Sequence, residues 1–87
     1  MSERGVRERV TVRYFAGARA AAGVPMEEIA AASLDDLVAV LTARHGERLG
    51  LVLKAAGFLV DGLTCHDRGA ILEEGATVDV LPPFAGG

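Results

Sequence analysis

The chain has 87 residues, with 9 Lys and Arg against 12 Asp and Glu and a formal net charge of −3. That length allows one domain, residues 1–87, whose core buries roughly 60–65% of the surface exposed by the unfolded chain. The acidic balance and scattered basic residues exclude nucleic acid or an anionic membrane as the main partner, since both require a concentrated basic surface. Hydrophobic residues make up 51% of the chain. Many are alanines, so the large core formers are Val, Leu and Ile with Tyr14 and three Phe. Cys65 is the only cysteine, which rules out an intramolecular disulfide and leaves a structural zinc site without ligands. No metal site is expected, and a reducing cytoplasm fits. Met1 to Arg9 is charged and has no apolar stretch of the kind a secretory signal needs, and no apolar run is long enough for a membrane-spanning helix. The chain is therefore expected to be mature, soluble and cytoplasmic.

In chain order, residues 1–8 are polar and expected to be frayed. From Arg9 to Phe15 the residues alternate with period two, as in a half-buried strand, with Val10, Val12 and Tyr14 toward the core. Ala16 to Gly23 is a small-residue stretch able to form a helical turn, but it lacks large apolar anchors. Val24-Pro25 ends it, and Met26 to Ala30 reads as a second strand. Ser33 with Asp36 is a weak form of the capping box, and Asp35 and Asp36 suit the positive end of a helix. Leu34, Leu37, Val38 and Leu41 follow at i, i+3, i+4 and i+7, one apolar stripe. Arg44 and His45 suit the negative end, and Gly46 is a C-cap, so His45 reads as a helix-end residue rather than a catalyst.

Gly57 to Val60 is a short strand, Asp61-Gly62 a turn, Leu63 to Cys65 a further short strand, and Thr77 to Leu81 the last one. Pro82-Pro83 stops that strand because proline has no N–H to give a ladder. The fold class expected is α+β, a mixed sheet of about five strands with one main helix packed on one face. Residues 82–87 form an extended tail.

The ending Leu81-Pro82-Pro83-Phe84-Ala85-Gly86-Gly87, attached to a Val-Asp-Val-Leu strand, resembles that of the molybdopterin synthase small subunit, a ubiquitin-like sulfur carrier of β-grasp fold. Val12-Arg13-Tyr14-Phe15-Ala16, the capped helix and the Leu72-Glu73-Glu74-Gly75 turn extend the resemblance over most of the chain from Val10 onward. The resemblance implies a function. A ubiquitin-activating-type adenylyltransferase uses ATP to adenylate Gly87, a sulfur donor protein supplies persulfide sulfur, and the resulting Gly87 thiocarboxylate donates sulfur to cyclic pyranopterin monophosphate. That transfer takes place in the large subunit of molybdopterin synthase. No cofactor is bound by the chain itself, which is not catalytic alone. Terminal Gly-Gly is shared with carriers for thiamine, cysteine and tRNA thiolation and with ubiquitin-like modifiers, so those readings stay open.

Independently of the resemblance, the tail suits a chemical arm. Two prolines preset an extended exit, the six residues from Pro82 span at most about 20 Å, and Gly86 and Gly87 have no Cβ to obstruct a narrow channel. Cys65-His66-Asp67 is the only cluster of reactive side chains, and in a strand its neighbours point to opposite faces, so Cys65 and His66 do not converge on one substrate. Paired Glu73-Glu74 and Asp35-Asp36 read as solvated turn and helix-start charges. Strand parity sends Phe15, Leu59 and Leu81 to the open face of the sheet, with Leu63 expected to join them. A contiguous apolar patch of this kind marks a protein interface, and in the family resembled this face binds both the activating enzyme and the large subunit.

Overall fold

In a computed structural model, which describes residues 7–83, eight elements follow one another. They are β1 (Glu8–Tyr14), α1 (Ala16–Ala22), β2 (Met26–Ala31), α2 (Leu34–His45), α3 (Glu47–Ala55), β3 (Gly57–Val60), β4 (Leu63–Thr64) and β5 (Thr77–Leu81). The strands form one mixed sheet of order β2-β1-β5-β3-β4. Its central pair, β1 and β5, is parallel, and the other three pairings are antiparallel. The period-two pattern read from the sequence sets this sheet's two faces. Val10, Val12 and Tyr14 of β1, Ile29 and Ala31 of β2, Phe58 of β3, and Val78 and Val80 of β5 are all buried on one face. The helices supply Ala18, Leu34, Leu37, Leu41, Leu49 and Leu53 to the same cluster. Each fully buried Val or Leu contributes about 1.5–3 kcal/mol by leaving water.

Helix α2 starts where its cap requires. The Ser33 hydroxyl accepts from the Asp36 N–H at 3.1 Å, while Asp36 reaches back to accept from the Ala32 N–H at 2.8 Å. The Arg7 guanidinium also binds Asp36 through two hydrogen bonds, of 3.0 and 2.9 Å. That pairing, followed by the Ala32 bond, holds the Asp36 carboxyl below its ordinary pKa. Arg7 thus has a definite partner and Glu8 opens β1 opposite Ala31, both inside the 1–8 segment expected to be frayed.

The sequence reading anticipated one main helix, whereas three cover this face. Gly46, at φ 98°, ends α2 and begins α3. Leu49 and Leu53 of α3, one turn apart, are fully buried. Gly50 lets the two helices approach, since a Cβ there would lie 2.8 Å from Thr42 Cγ2. Strand β4 ends at Thr64, one residue short of expectation. It is joined to β3 through Asp61 and Gly62, both at positive φ, as a two-residue hairpin turn demands. At the far end of the sheet the Glu73-Glu74-Gly75 turn is tied to β1. Glu74 Oε1 accepts from the Arg9 N–H at 2.8 Å and the Gly75 N–H donates to the Arg9 carbonyl at 2.9 Å.

Candidate functional site

Strand β5 lies between β1 and β3, so the chain leaves the sheet from its centre. The exit is held on both sides. Gly57 pairs with Leu81 across β3, and the Phe15 N–H donates to the Val80 carbonyl at 3.2 Å. Pro82 is half-buried and Pro83 exposed. Phe84, Ala85, Gly86 and Gly87, the reactive terminus expected from the sequence, lie outside the described residues.

The face opposite the helices carries the expected interface residues in a definite order. One row crosses the whole sheet: Met26 opposite Arg13, Arg13 opposite Asp79, Asp79 opposite Leu59, and Leu59 opposite Thr64. The next row toward the tail holds Leu81 and, by parity from Arg13, Phe15, which is 40% exposed. The row on the other side holds Thr11, Thr77 and Glu28. The face is therefore apolar around the tail exit and polar at its opposite end, where Arg9 and Glu28 lie 3.6 Å apart. Leu63 does not join it. The register sets Leu63 opposite Val60, so it belongs to the helix-bearing side, where it is 74% exposed. The parity expected for Leu63 failed because the hairpin turn fixes β4 in that register.

The open face also has a polar centre that sequence parity did not identify. Arg13 Nε and Nη2 donate to the two carboxylate oxygens of Asp79 at 2.6 and 2.9 Å. Asp79 is only 6% exposed, because the guanidinium and the neighbouring strands cover it. The Arg13 guanidinium carbon also lies 5.9 Å from the Phe15 ring centroid, within cation–π range. The pair was legible only as charged residues at open-face positions within two apolar strands, Arg13 between Val12 and Tyr14 and Asp79 between Val78 and Val80.

A second cluster of ionisable side chains, around Glu27, holds the fold. Glu27 accepts from the Tyr14 hydroxyl at 2.6 Å and from Arg44 Nε at 3.0 Å, and it contacts His45 Nε2. These bonds fasten the end of α2 to β2, consistent with His45 as a helix-end residue. Burial pushes the Glu27 carboxyl upward, but hydrogen bonds from Tyr14 and His45, with the nearby positive charges, bring it below its ordinary value. Burial, followed by the Glu27 bond, pushes the Tyr14 phenol strongly up. Cys65 lies half-buried just past β4, its thiol donating to the Asp67 carbonyl at 3.5 Å, while His66 and Asp67 are exposed. The Asp67 carboxylate is occupied by the Gly69 N–H at 2.9 Å. Among the described residues no group of three His, Cys, Asp or Glu is arranged to hold a metal ion. A groove of about 190 Å³ between α2 and α3 is lined by Val38, Thr42, Leu51 and the charged ends of Glu47 and Lys54, a set without a nucleophile and base in partnership. No helix among the described residues is long and apolar enough to cross a membrane.

Comparison with known proteins agrees with the geometry. Solved structures share the fold over nearly their whole length. The solution structure of small archaeal modifier protein 1 from Methanosarcina acetivorans is 21% identical, with a TM-score of 0.81 over 93% of this chain and 98% of that one. A putative molybdopterin converting factor subunit 1 from Pyrococcus furiosus is 28% identical, with a TM-score of 0.74 over 88% and 99%. In a protein–protein complex of subunits 1 and 2 of the Helicobacter pylori molybdopterin-converting factor, the matching chain is 25% identical, with a TM-score of 0.69 over 91% and 99%. No curated protein sequence matches. The ThiS family profile matches residues 12–87, from the second half of β1 to the last glycine, and the chain belongs to the ThiS family of ubiquitin-like sulfur carriers.

Proposed function

We propose that the protein is the sulfur carrier and small subunit of a molybdopterin synthase. The observation that carries this reading is the Pro82-Pro83-Phe84-Ala85-Gly86-Gly87 ending, which follows in sequence on the central strand of the sheet, beside an open face rich in apolar residues. A free carboxylate is a poor electrophile, because its charge repels nucleophiles and it has no good leaving group. Adenylation by a ubiquitin-activating-type partner joins the Gly87 carboxylate to AMP with release of pyrophosphate. A persulfide on a donor protein then displaces AMP to form an acyl disulfide, and a second thiol cleaves its S–S bond, leaving the Gly87 thiocarboxylate and a disulfide between the two thiols. This is the two-step logic of covalent catalysis, with the activating groups supplied by partners. The large synthase subunit receives the loaded tail and transfers its sulfur to cyclic pyranopterin monophosphate. Phe15, Leu59 and Leu81 supply the apolar docking contacts, and the likeness to subunit 1 of a two-subunit molybdopterin-converting factor supports that partner.

The same tail would serve a carrier for thiamine, cysteine or tRNA thiolation, or a protein modifier, and the fold likeness to small archaeal modifier proteins keeps conjugation as the second reading. A modifier leaves Gly87 in an isopeptide bond to lysine, whereas a carrier leaves a free thiocarboxylate. Deletion of Gly87 tests the carrier reading. It withdraws the terminus by about 3 Å, enough to misplace an atom that must be held at attack distance. Product formation from cyclic pyranopterin monophosphate should be abolished with an unchanged thermal melt, and normal turnover would contradict the reading.

A further inference from the structure

The Arg13–Asp79 pair lies on the open face in the row beside Phe15 and Leu81. Around it lie Met26, 52% exposed, together with Phe15, Leu59 and Leu81. Its two halves are unequally accessible. The Arg13 side chain is 48% exposed, whereas that of Asp79 is 8% exposed. The tail-proximal half of the face therefore presents a positive spot in an apolar field, with the balancing carboxylate hidden beneath it. A guanidinium has five N–H donors in a planar fork. Asp79 takes one from Nε and one from Nη2, which leaves both on Nη1 and the second on Nη2. Asp79 is the only hydrogen-bond partner of this side chain among the described residues. The donors left over form the second edge of the fork, which faces away from Asp79.

We propose that Arg13, braced by Asp79 on the open face, selects the partner by receiving a carboxylate set within an otherwise apolar protein surface. This rests on the reading of the open face as the docking surface for the large synthase subunit and adds the polar contact that discriminates among apolar partners. An apolar surface lacking an acceptor would strip water from charged donors and leave them unpaired, which is strongly disfavoured. The neighbouring Nη1–H and Nη2–H match the two oxygens of a carboxylate, the geometry in which arginine binds most strongly and specifically. Asp79 fixes the guanidinium plane before docking, so less rotamer freedom is lost when the partner arrives.

The test uses the full chain and the large synthase subunit from the same genome, with binding measured by calorimetry at low and high salt. Replacing both members with apolar residues, Arg13→Leu with Asp79→Leu, removes the ion pair without orphaning either charge, a change that folded proteins commonly tolerate. The double variant should keep its thermal melt yet bind about tenfold or more weakly, with a flatter salt dependence than the native chain. A purely structural pair predicts the opposite, unchanged or tighter binding on a more apolar face, and that result would overturn the proposal. Equal salt dependence for the two proteins would also overturn it, since the acceptor would then be neutral. Arg13→Lys keeps a charge against Asp79 but has no second edge, and it should also weaken binding. It decides the matter if the double variant is unfolded, and native affinity in Arg13→Lys would defeat the proposal. Absence of binding by the native chain would overturn the pathway reading itself, and this inference with it.

Discussion

The two faces of the sheet are made from the same strands, yet they carry different duties. Toward the helices, Val12, Val78 and Val80 are fully buried, and the polar groups at the margin, Tyr14 and Glu27, are matched to partners within the chain. On the opposite face, Phe15, Met26 and Leu81 remain accessible, and Arg13 is only partly satisfied by Asp79. Alternation along one strand therefore writes two surfaces at once, one completed by folding and one left partly apolar and accessible. Leu81 and Pro82 leave the sheet at the apolar end of this second surface, beside Phe15.

Placing the same charge on adjacent residues of β5 should separate the two faces most strongly. Val80→Asp buries an unpaired carboxylate in the core and should cost about 4 kcal/mol or more, enough to unfold a marginally stable domain. Leu81→Asp should stay within about 1 kcal/mol of native stability and instead weaken docking to the large subunit by about 2 kcal/mol. Thermal melts and calorimetric binding read the two effects separately. Unfolding of Leu81→Asp would mean that its face is part of the core.

Glu27→Gln probes the polar margin of the helix-covered face and should cost about 1–3 kcal/mol at pH 7, because hydrogen bonds from Tyr14 and Arg44 lose their charged acceptor. The pH dependence has a definite sign. The folded carboxyl lies below its ordinary value of 4.5, so its contribution is present above that pH and is lost as pH falls through the depressed folded value. Urea melts from pH 7 down to pH 3 should show the native chain and the variant converging in the acid range. A gap that persists undiminished would assign the stabilisation to packing rather than charge.

The smallest effect expected is at the helix-helix contact. Gly50→Ala gains helix propensity of about 1 kcal/mol but drives a methyl group into Thr42, and the clash should leave the variant about 1 kcal/mol less stable. In a Thr42→Ala background the sign should reverse, with Gly50→Ala stabilising by about 0.5–1 kcal/mol. A double-mutant cycle by chemical denaturation measures this coupling.

Legibility in the sequence followed the range of the interactions. Strand alternation and the Leu34, Leu37, Val38, Leu41 stripe are local, and β3, β5 and α2 formed where they were expected. Helix α3 was missed because Gly50 interrupts a segment of only nine residues, although Leu49 and Leu53 keep the helical spacing. Its glycine answers to Thr42 on another helix, a requirement the local sequence does not show. The Arg13–Asp79 pair joins residues 66 apart, and nothing brings them together until β1 and β5 are known to be parallel neighbours. Leu63 was assigned to the wrong face because a two-residue strand offers too little alternation to fix parity, which the turn at Asp61-Gly62 decides instead.

In the proposed function the chain acts through its last residue. The most direct test is to co-express it with its adenylating partner and a sulfur donor protein, then to measure the intact mass and fragment the tail. One oxygen of the Gly87 carboxylate should be replaced by sulfur, with Cys65 unmodified. Sulfur carried on Cys65, with Gly87 left as an ordinary carboxylate, would contradict the proposed function.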